Sequence, residues 1–247
     1  AKAKLMAHPN LRLILSDQGV MGELRIRELI PIAVRHKNII ISENIPNELC
    51  NTKVTVKESG LEIICDPTKA YFSTKLQTER QETLSFAKEL RHMLGRKINL
   101  CDPFCGVGPA ISSLLHEPDL VNNLLSSDLN PEAIKLLFEN LTKWDKKPYP
   151  SEASEVEWIY PNRLAGAGDV AELVTNREYL GRWDMILINL PHRTLELLPL
   201  IIPLLDTSSP SLIRGRIVVE EKDIDITNKI IQDILPNCIP DKPKPKL

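Results

Sequence analysis

The stretch Lys97-Ile-Asn-Leu-Cys101, running straight into Asp102-Pro-Phe-Cys-Gly-Val-Gly-Pro109, decides the fold. Its apolar half predicts a buried strand ending in an acidic residue. Its second half is a glycine turn, and the residues after it predict a helix through Leu115. The same alternation continues downstream. Leu124–Ser127 is a strand ending in Asp128, and Pro131–Trp144 is its helix, with proline at a permitted first-turn position. A polar loop, Lys146–Glu155, leads to a third strand, Val156–Tyr160. Asp184–Leu190 is apolar on both faces, as a central parallel strand is. Leu195–Leu205 predicts a helix interrupted by Pro199 and Pro203, Arg216–Val219 a fifth strand, and Ile226–Leu235 a last helix. Strands alternating with helices at this spacing define an α/β fold with a doubly wound, mostly parallel sheet.

Upstream, the apolar positions Leu84, Phe86, Ala87, Leu90, Met93 and Leu94 give Glu79–Leu94 one buried helical stripe. The first seventy residues differ. Short apolar runs (Leu11–Leu15, Ile26–Ala33, Ile39–Ile41, Val54–Val56, Leu61–Cys65) are separated by turn signals at Asp17-Gln-Gly19, Asn44–Asn47 and Ser59-Gly60. Residues 1–70 therefore read as a small α+β domain and 71–247 as the doubly wound domain. The tail from Pro236 is Pro- and Lys-rich and reads as extended.

Composition narrows the function classes. Only 4% of residues are aromatic, which argues against base stacking on a sheet as the main mode of nucleic-acid binding. The net charge of −2 hides an asymmetry. Up to Lys97 there are 16 Lys and Arg against 11 Asp and Glu, and after it 15 against 22. A basic front half suits a phosphate-bearing partner, although charge alone equally suits ordinary scatter. The five cysteines lack zinc-ligand spacing, so no metal is expected. The Leu195–Leu205 run is too short to span a bilayer, so neither is a membrane partner. An odd cysteine count without a signal-peptide core places the chain in the cytoplasm.

Ligands of doubly wound sheets sit beyond the carboxyl ends of the strands. Asp102, Asp128 and, after a loop, Asp169 fall there. Gly106 and Gly108 lie between the first two, and Asp128 is placed to accept both hydroxyls of a ribose. A nicotinamide enzyme shares much of this geometry. However, the third glycine of the dinucleotide pattern would stand at position 111, which is Ile. Asp102 would also repel a diphosphate while attracting a sulfonium and an amino group. The cofactor implied is S-adenosylmethionine, and the fold a class I, Rossmann-like methyltransferase. Asn189-Leu-Pro-His192 follows the fourth strand. Its amide either caps the next helix or grips a planar base, and its position beside the first strand favours the base. His192 is in place for proton transfer but is more often just a residue at a helix start.

These segments, with Tyr71-Phe-Ser-Thr-Lys-Leu-Gln-Thr-Glu-Arg80 and Gly22-Glu-Leu-Arg-Ile-Arg-Glu28, resemble the archaeal and eukaryotic tRNA guanine-37 N1-methyltransferases. That group also includes wybutosine-type transferases. The resemblance runs from about Leu11 to Val219. It implies tRNA, through its anticodon loop, as partner. It implies Glu79 as the base for the guanine N1 proton, Arg25 as the cation beside guanine O6, and Asn189 as the residue orienting the base. Tyr71, Phe72, Lys75 and Arg80 would line the substrate side. Phe104, Leu129, Asp169, Asn189 and Pro191 would join Asp102, Gly106, Gly108 and Asp128 around the cofactor. Two departures stand out. Ser73-Thr-Lys75 replaces the usual Ser-Pro-Arg, and the family's N-terminal tRNA-elbow domain is not expected in these residues. The nearest alternative is a related transferase that moves a methyl or aminocarboxypropyl group to a wybutosine-type guanosine derivative in tRNA. Other readings are a small-molecule methyltransferase and a tRNA-binding protein that no longer catalyses.

Overall fold

The computed structural model describes residues 1–22, 24 and 26–235. Arg25 and the Pro-rich tail from Pro236 lie outside the described residues.

The chain opens with α1 (Lys2–Ala7), which buries Leu5, followed by β1 (Leu13–Met21), β2 (Ile26–His36) and β3 (Ile39–Ile41) in one antiparallel sheet. Asp17-Gln-Gly19, expected to be a turn, lies inside β1. The register slips between Asp17 and Val20, so one extra residue is absorbed as a bulge. Gly19 takes φ +107°, and its N–H donates to Asp17 Oδ1 at 2.9 Å, which stabilises the kink locally. β4 (Val54–Glu58) and β5 (Leu61–Cys65) form a hairpin. Ser59 and Gly60 both have positive φ, as a two-residue hairpin loop requires.

α2 (Gln77–Leu94) precedes β6 (Ile98–Asp102), α3 (Pro109–His116), β7 (Val121–Asp128) and α4 (Pro131–Asp145). Next come β8 (Glu157–Tyr160), β9 (Arg163–Ala167), α5 (Val170–Leu173), β10 (Met185–Ile188), α6 (Thr194–Ile201), β11 (Leu212–Gly215) and α7 (Ile224–Ile234). The six-stranded sheet runs β11-β10-β6-β7-β9-β8, with every neighbouring pair parallel except β8–β9. Successive residues of β6 face opposite sides, Leu100 toward α3 and α4 and Cys101 toward α5 and α6. The sheet is therefore doubly wound. The order of winding reverses between the parallel neighbours β6 and β10.

Two strand expectations need correction. The third parallel strand is β9, and the predicted Val156–Tyr160 segment is its antiparallel edge neighbour. Arg163-Leu-Ala-Gly-Ala has little β propensity, but Leu164, Ala165 and Gly166 are all buried. A Cβ on Gly166 would stand 2.3 Å from the Glu155 carbonyl oxygen, so the strand needs a residue without a side chain there. The fifth strand is Leu212–Gly215, not Arg216–Val219. Gly215 is its last rung against Ile188. Beyond it the Arg216 carbonyl accepts the Thr194 hydroxyl at 2.6 Å, and the Val218 N–H donates to Pro191 O at 3.2 Å. Those bonds draw the chain off the sheet and onto the turn after β10.

The β4–β5 hairpin is seated on the large sheet's helices through Asn140 of α4, which is wholly buried. Its Oδ1 accepts the Ile64 N–H at 2.8 Å, and its amide donates to the Ile64 and Val107 carbonyls at 2.9 Å each. Ile63, Ile64, Cys65 and Ala70 share a core with Val107, Ala133 and Leu136. One buried amide thus ties the hairpin to the glycine turn.

Candidate active site

A cleft opens at the carboxyl ends of β6 and β10, where the winding of the sheet reverses. Glu79, Arg80 and Thr83 of α2 form one wall. Asp102, Phe104 and Cys105 form the floor. Asn189, Arg214 and Arg216 form the other wall.

The floor is set by the glycine turn. Gly106 and Gly108 have φ +54° and +82°. A Cβ on Gly108 would also meet Leu137 Cδ1 at 2.6 Å and the Trp144 ring at 3.1 Å, so this glycine lets α3 pack closely on α4. Ile111, where a dinucleotide fold would have its third glycine, is core. Asp102 is 3% exposed, and its Oδ1 accepts one long hydrogen bond, 3.3 Å from the Phe104 N–H. Burial pushes its carboxyl up to about 7. The Phe104 N–H opposes that shift and the charge of Asp128 adds to it. Asp128 accepts the N–H groups of Gly106 at 2.8 Å and Asn130 at 2.9 Å. Burial raises its carboxyl too, against those two bonds. Neither carboxylate has a basic partner among the ion pairs of the described residues. Burial likewise pushes the Cys101 and Cys105 thiols well above their ordinary value.

The other predicted cofactor positions follow the strand edge. Leu129 is exposed beside Asp128. Asp169 caps α5 by accepting the Ala171 N–H at 2.9 Å, and the preceding Gly168 donates to Asp128 O at 3.1 Å. Asn189 is exposed at the end of β10 and does not cap α6, whose N-cap position is Arg193. Pro191 holds the Val218 N–H.

On the substrate side, adjacent residues take different partners. Glu79 faces the cleft, where Arg216 Nη1 lies 2.6 Å from its Oε2. Arg80 turns inward and makes a two-pronged ion pair with Glu58 of β4, each 7% exposed. It also donates to Ser73 O at 3.0 Å and lies 5.7 Å over the Phe72 ring. The Tyr71 carbonyl oxygen passes 3.7 Å from the position of a Cβ on Gly106, so this segment crosses the glycine turn. Lys75 is exposed in a short 3-10 turn, Thr74–Leu76, away from the cleft lining. Of the predicted site, Glu79, Arg80, Asp102, Phe104 and Asn189 share one cleft. Asp128, Leu129 and Asp169 lie along the β7–β9 edge.

Arg214 and Arg216 were not anticipated. They reach the cleft because β11 ends at Gly215 rather than beginning at Arg216.

No family model matches the chain. The tRNA (guanine(37)-N(1))-methyltransferase of Pyrococcus abyssi is 33% identical over 141 residues, spanning 57% of this chain and 36% of that protein. Its crystal structure superposes with a TM-score of 0.65 at 26% identity, covering 96% of this chain and 58% of that one. The chain is thus similar to part of a tRNA guanine-37 N1-methyltransferase. A second member of that family, from Paramecium tetraurelia, is 35% identical over 105 residues, or 41% of this chain and 24% of its own length. The chain thus spans less than half the length of the curated methyltransferases it matches. In fold alone it is also similar to TYW2 of Methanocaldococcus jannaschii in complex with AdoMet, with a TM-score of 0.55 at 16% identity, covering 80% and 76% of the two chains. Among the described residues no helix is long and apolar enough to cross a membrane. No three His, Cys, Asp or Glu side chains gather as a metal site there either.

Proposed function

We propose that this chain holds S-adenosylmethionine and transfers its methyl group to N1 of guanosine 37 in tRNA, in the cytoplasm, approaching the anticodon loop. On this reading residues 1–70 form the substrate-side domain and 71–247 the cofactor-side domain. One observation carries the proposal. A buried carboxylate without a cation, Asp102, lies on the floor of the same cleft whose walls carry Glu79 and Asn189.

The residues fit the cofactor. Two carboxylates with raised pKa values, Asp102 buried and Asp128 half-buried, await positive charge and hydroxyl donors, and a ligand with a sulfonium, an amino group and a ribose supplies all of them. Asp128 has lone pairs left beyond its two backbone bonds for the ribose hydroxyls. Phe104 and Leu129 offer apolar flanks, with Gly106, Gly108, Asp169 and Pro191 shaping the rim. When bound, the cofactor supplies an activated methyl group. The protein's own work is then to position and deprotonate the base. Asn189 orients the guanine, Glu79 takes the N1 proton, and Arg25 has the role of steadying the charge on O6. Tyr71, Phe72 and Lys75 stand on the tRNA side. Arg80 supports the wall from behind, through Glu58.

The test is nucleoside mass spectrometry after incubation with S-adenosylmethionine and two unmodified tRNA transcripts, one with G37 and one with A37. N1-methylguanosine from the G37 transcript alone is the expected product. An aminocarboxypropyl adduct would favour the wybutosine-type reading. No product with cofactor affinity intact would favour a tRNA-binding protein without catalysis.

A further inference from the structure

α2 and β11 meet through two ion pairs of different character. Arg214 Nη2 reaches Glu82 at 3.0 Å, its guanidinium lying 5.2 Å over the Phe86 ring, and Glu82 is not part of the cleft wall. The Arg216–Glu79 pair lies in the cleft itself, with each side chain about one-third exposed. Arg216 is also held from behind. Its carbonyl accepts the hydroxyl of buried Thr194, and the rung Ile188–Gly215 sets it beside Asn189.

The pair therefore presents a carboxylate acceptor next to a guanidinium donor, 2.6 Å apart, on an accessible edge. Guanine carries the complement on its Watson–Crick edge, with the N1–H donor adjacent to the O6 acceptor. Adenine carries the reverse, a bare N1 next to an amino group. We infer that Arg216 is a specificity-determining catalytic residue that reads guanine O6, while Glu79 accepts the adjacent N1–H. The inference rests on the reading given under Proposed function and adds a cation from the end of β11 to it.

Paired with each other, the two side chains neutralise their charges. Guanine entering between them gives each a new partner, so neither charge is left unpaired. Adenine sets its amino group against the guanidinium and its N1 lone pair against the carboxylate, and both contacts repel. In the transfer the N1 proton passes to the Glu79 carboxylate. The electron pair left on N1 is shared with O6, where Arg216 donates a hydrogen bond and gives up no proton. N1 then bonds to the methyl carbon as the carbon–sulfur bond breaks, its electrons going to sulfur. Arg216 thus acts where negative charge grows.

The experiment compares wild type, Arg216→Lys and Arg216→Gln in single-turnover methylation of tRNA carrying G37 or 6-thioguanosine at position 37. The thio base has a more acidic N1 and needs less help to lose its proton. Arg216→Gln is expected to slow G37 methylation about 100-fold, the scale of one lost oxyanion donor, with Arg216→Lys intermediate. The penalty should shrink at least about tenfold on the thio substrate, in keeping with an anion that needs less stabilisation. A second readout is the affinity of G37 and A37 anticodon stem-loops with S-adenosylhomocysteine bound. Wild type should prefer G37, and Arg216→Gln should lose that preference while melting at the wild-type temperature. Equal penalties on both bases, or an unchanged stem-loop preference, would overturn the role given to Arg216. A wild-type protein that leaves G37 unmodified would overturn the function on which it rests.

Discussion

Arg80 of α2 and Glu58 of β4 are joined by a two-pronged ion pair that is almost sealed from solvent, 22 residues apart in the chain. This bond fixes the first turn of α2 against the hairpin and hence the wall that carries Glu79. Removing one partner strands a buried charge, so Arg80→Ala should cost about 3–5 kcal/mol of stability. Replacing both residues with apolar ones should restore much of it. Urea unfolding of the two single variants and the double variant checks this. Loss of tRNA affinity without loss of stability would instead give Arg80 a direct contact with substrate.

Asn140 makes a comparable tie from α4. Asn140→Leu leaves the Ile64 N–H and two carbonyls buried without partners and should destabilise by about 2–4 kcal/mol. Hydrogen exchange at the Ile64 amide should speed up ahead of exchange in the central strands β6 and β10. Uniform acceleration would mean that the hairpin does not depend on this amide.

Asp102 gives the free protein a pH signature. Its carboxyl is raised from an ordinary 3.8 to about 7, so the folded state holds a proton that the unfolded chain has already released. Its contribution to stability is therefore full below about pH 4, falls as pH rises toward about 7, and is level above that. Asp102→Asn should remove this slope from the curve of unfolding free energy against pH. Binding a cationic ligand beside Asp102 favours the carboxylate, so a proton should be released near pH 6. Calorimetry in two buffers of different ionisation enthalpy measures that proton directly.

Gly108→Ala combines a positive φ with contact against Leu137 and Trp144. It should cost about 1–3 kcal/mol. If the position serves packing, Gly108→Ala with Leu137→Ala should recover part of the loss in thermal unfolding, leaving only the backbone strain.

Much of this architecture was readable because the decisive segments are locally self-consistent. β10 is a continuous apolar run leading into Asn189, and β6 and β7 are strands with buried centres that end in Asp102 and Asp128. α4 begins with Pro131 after Asn130, whose side chain accepts the Glu132 N–H. β9 escaped notice because burial on both faces, not propensity, makes Arg163–Ala167 a strand. β11 was misplaced because Val218 and Val219 look more strand-like than Leu212–Gly215. The outcome instead depends on hydrogen bonds from Thr194 and Pro191, about 20 to 30 residues away. The same limit governs the site. Motifs revealed Glu79, Asp102 and Asn189, whereas the partners Glu58 and Arg216 become visible only once distant segments meet.

Glu79 and Arg80 are neighbours with different partners, one paired across the cleft with Arg216 and one with buried Glu58, and the helix behind them is locked by Ala87 and Leu90 in the core. Each residue of an α-helix advances its side chain by about 100° around the axis. A single insertion or deletion between Arg80 and Ala87 would swing the carboxylate out of the cleft and lift the guanidinium off Glu58 at once. The exposed positions of that segment are free to vary in composition, but its length is not. Lineages that keep this cleft should therefore keep the count of residues between the Glu-Arg pair and the buried alanine.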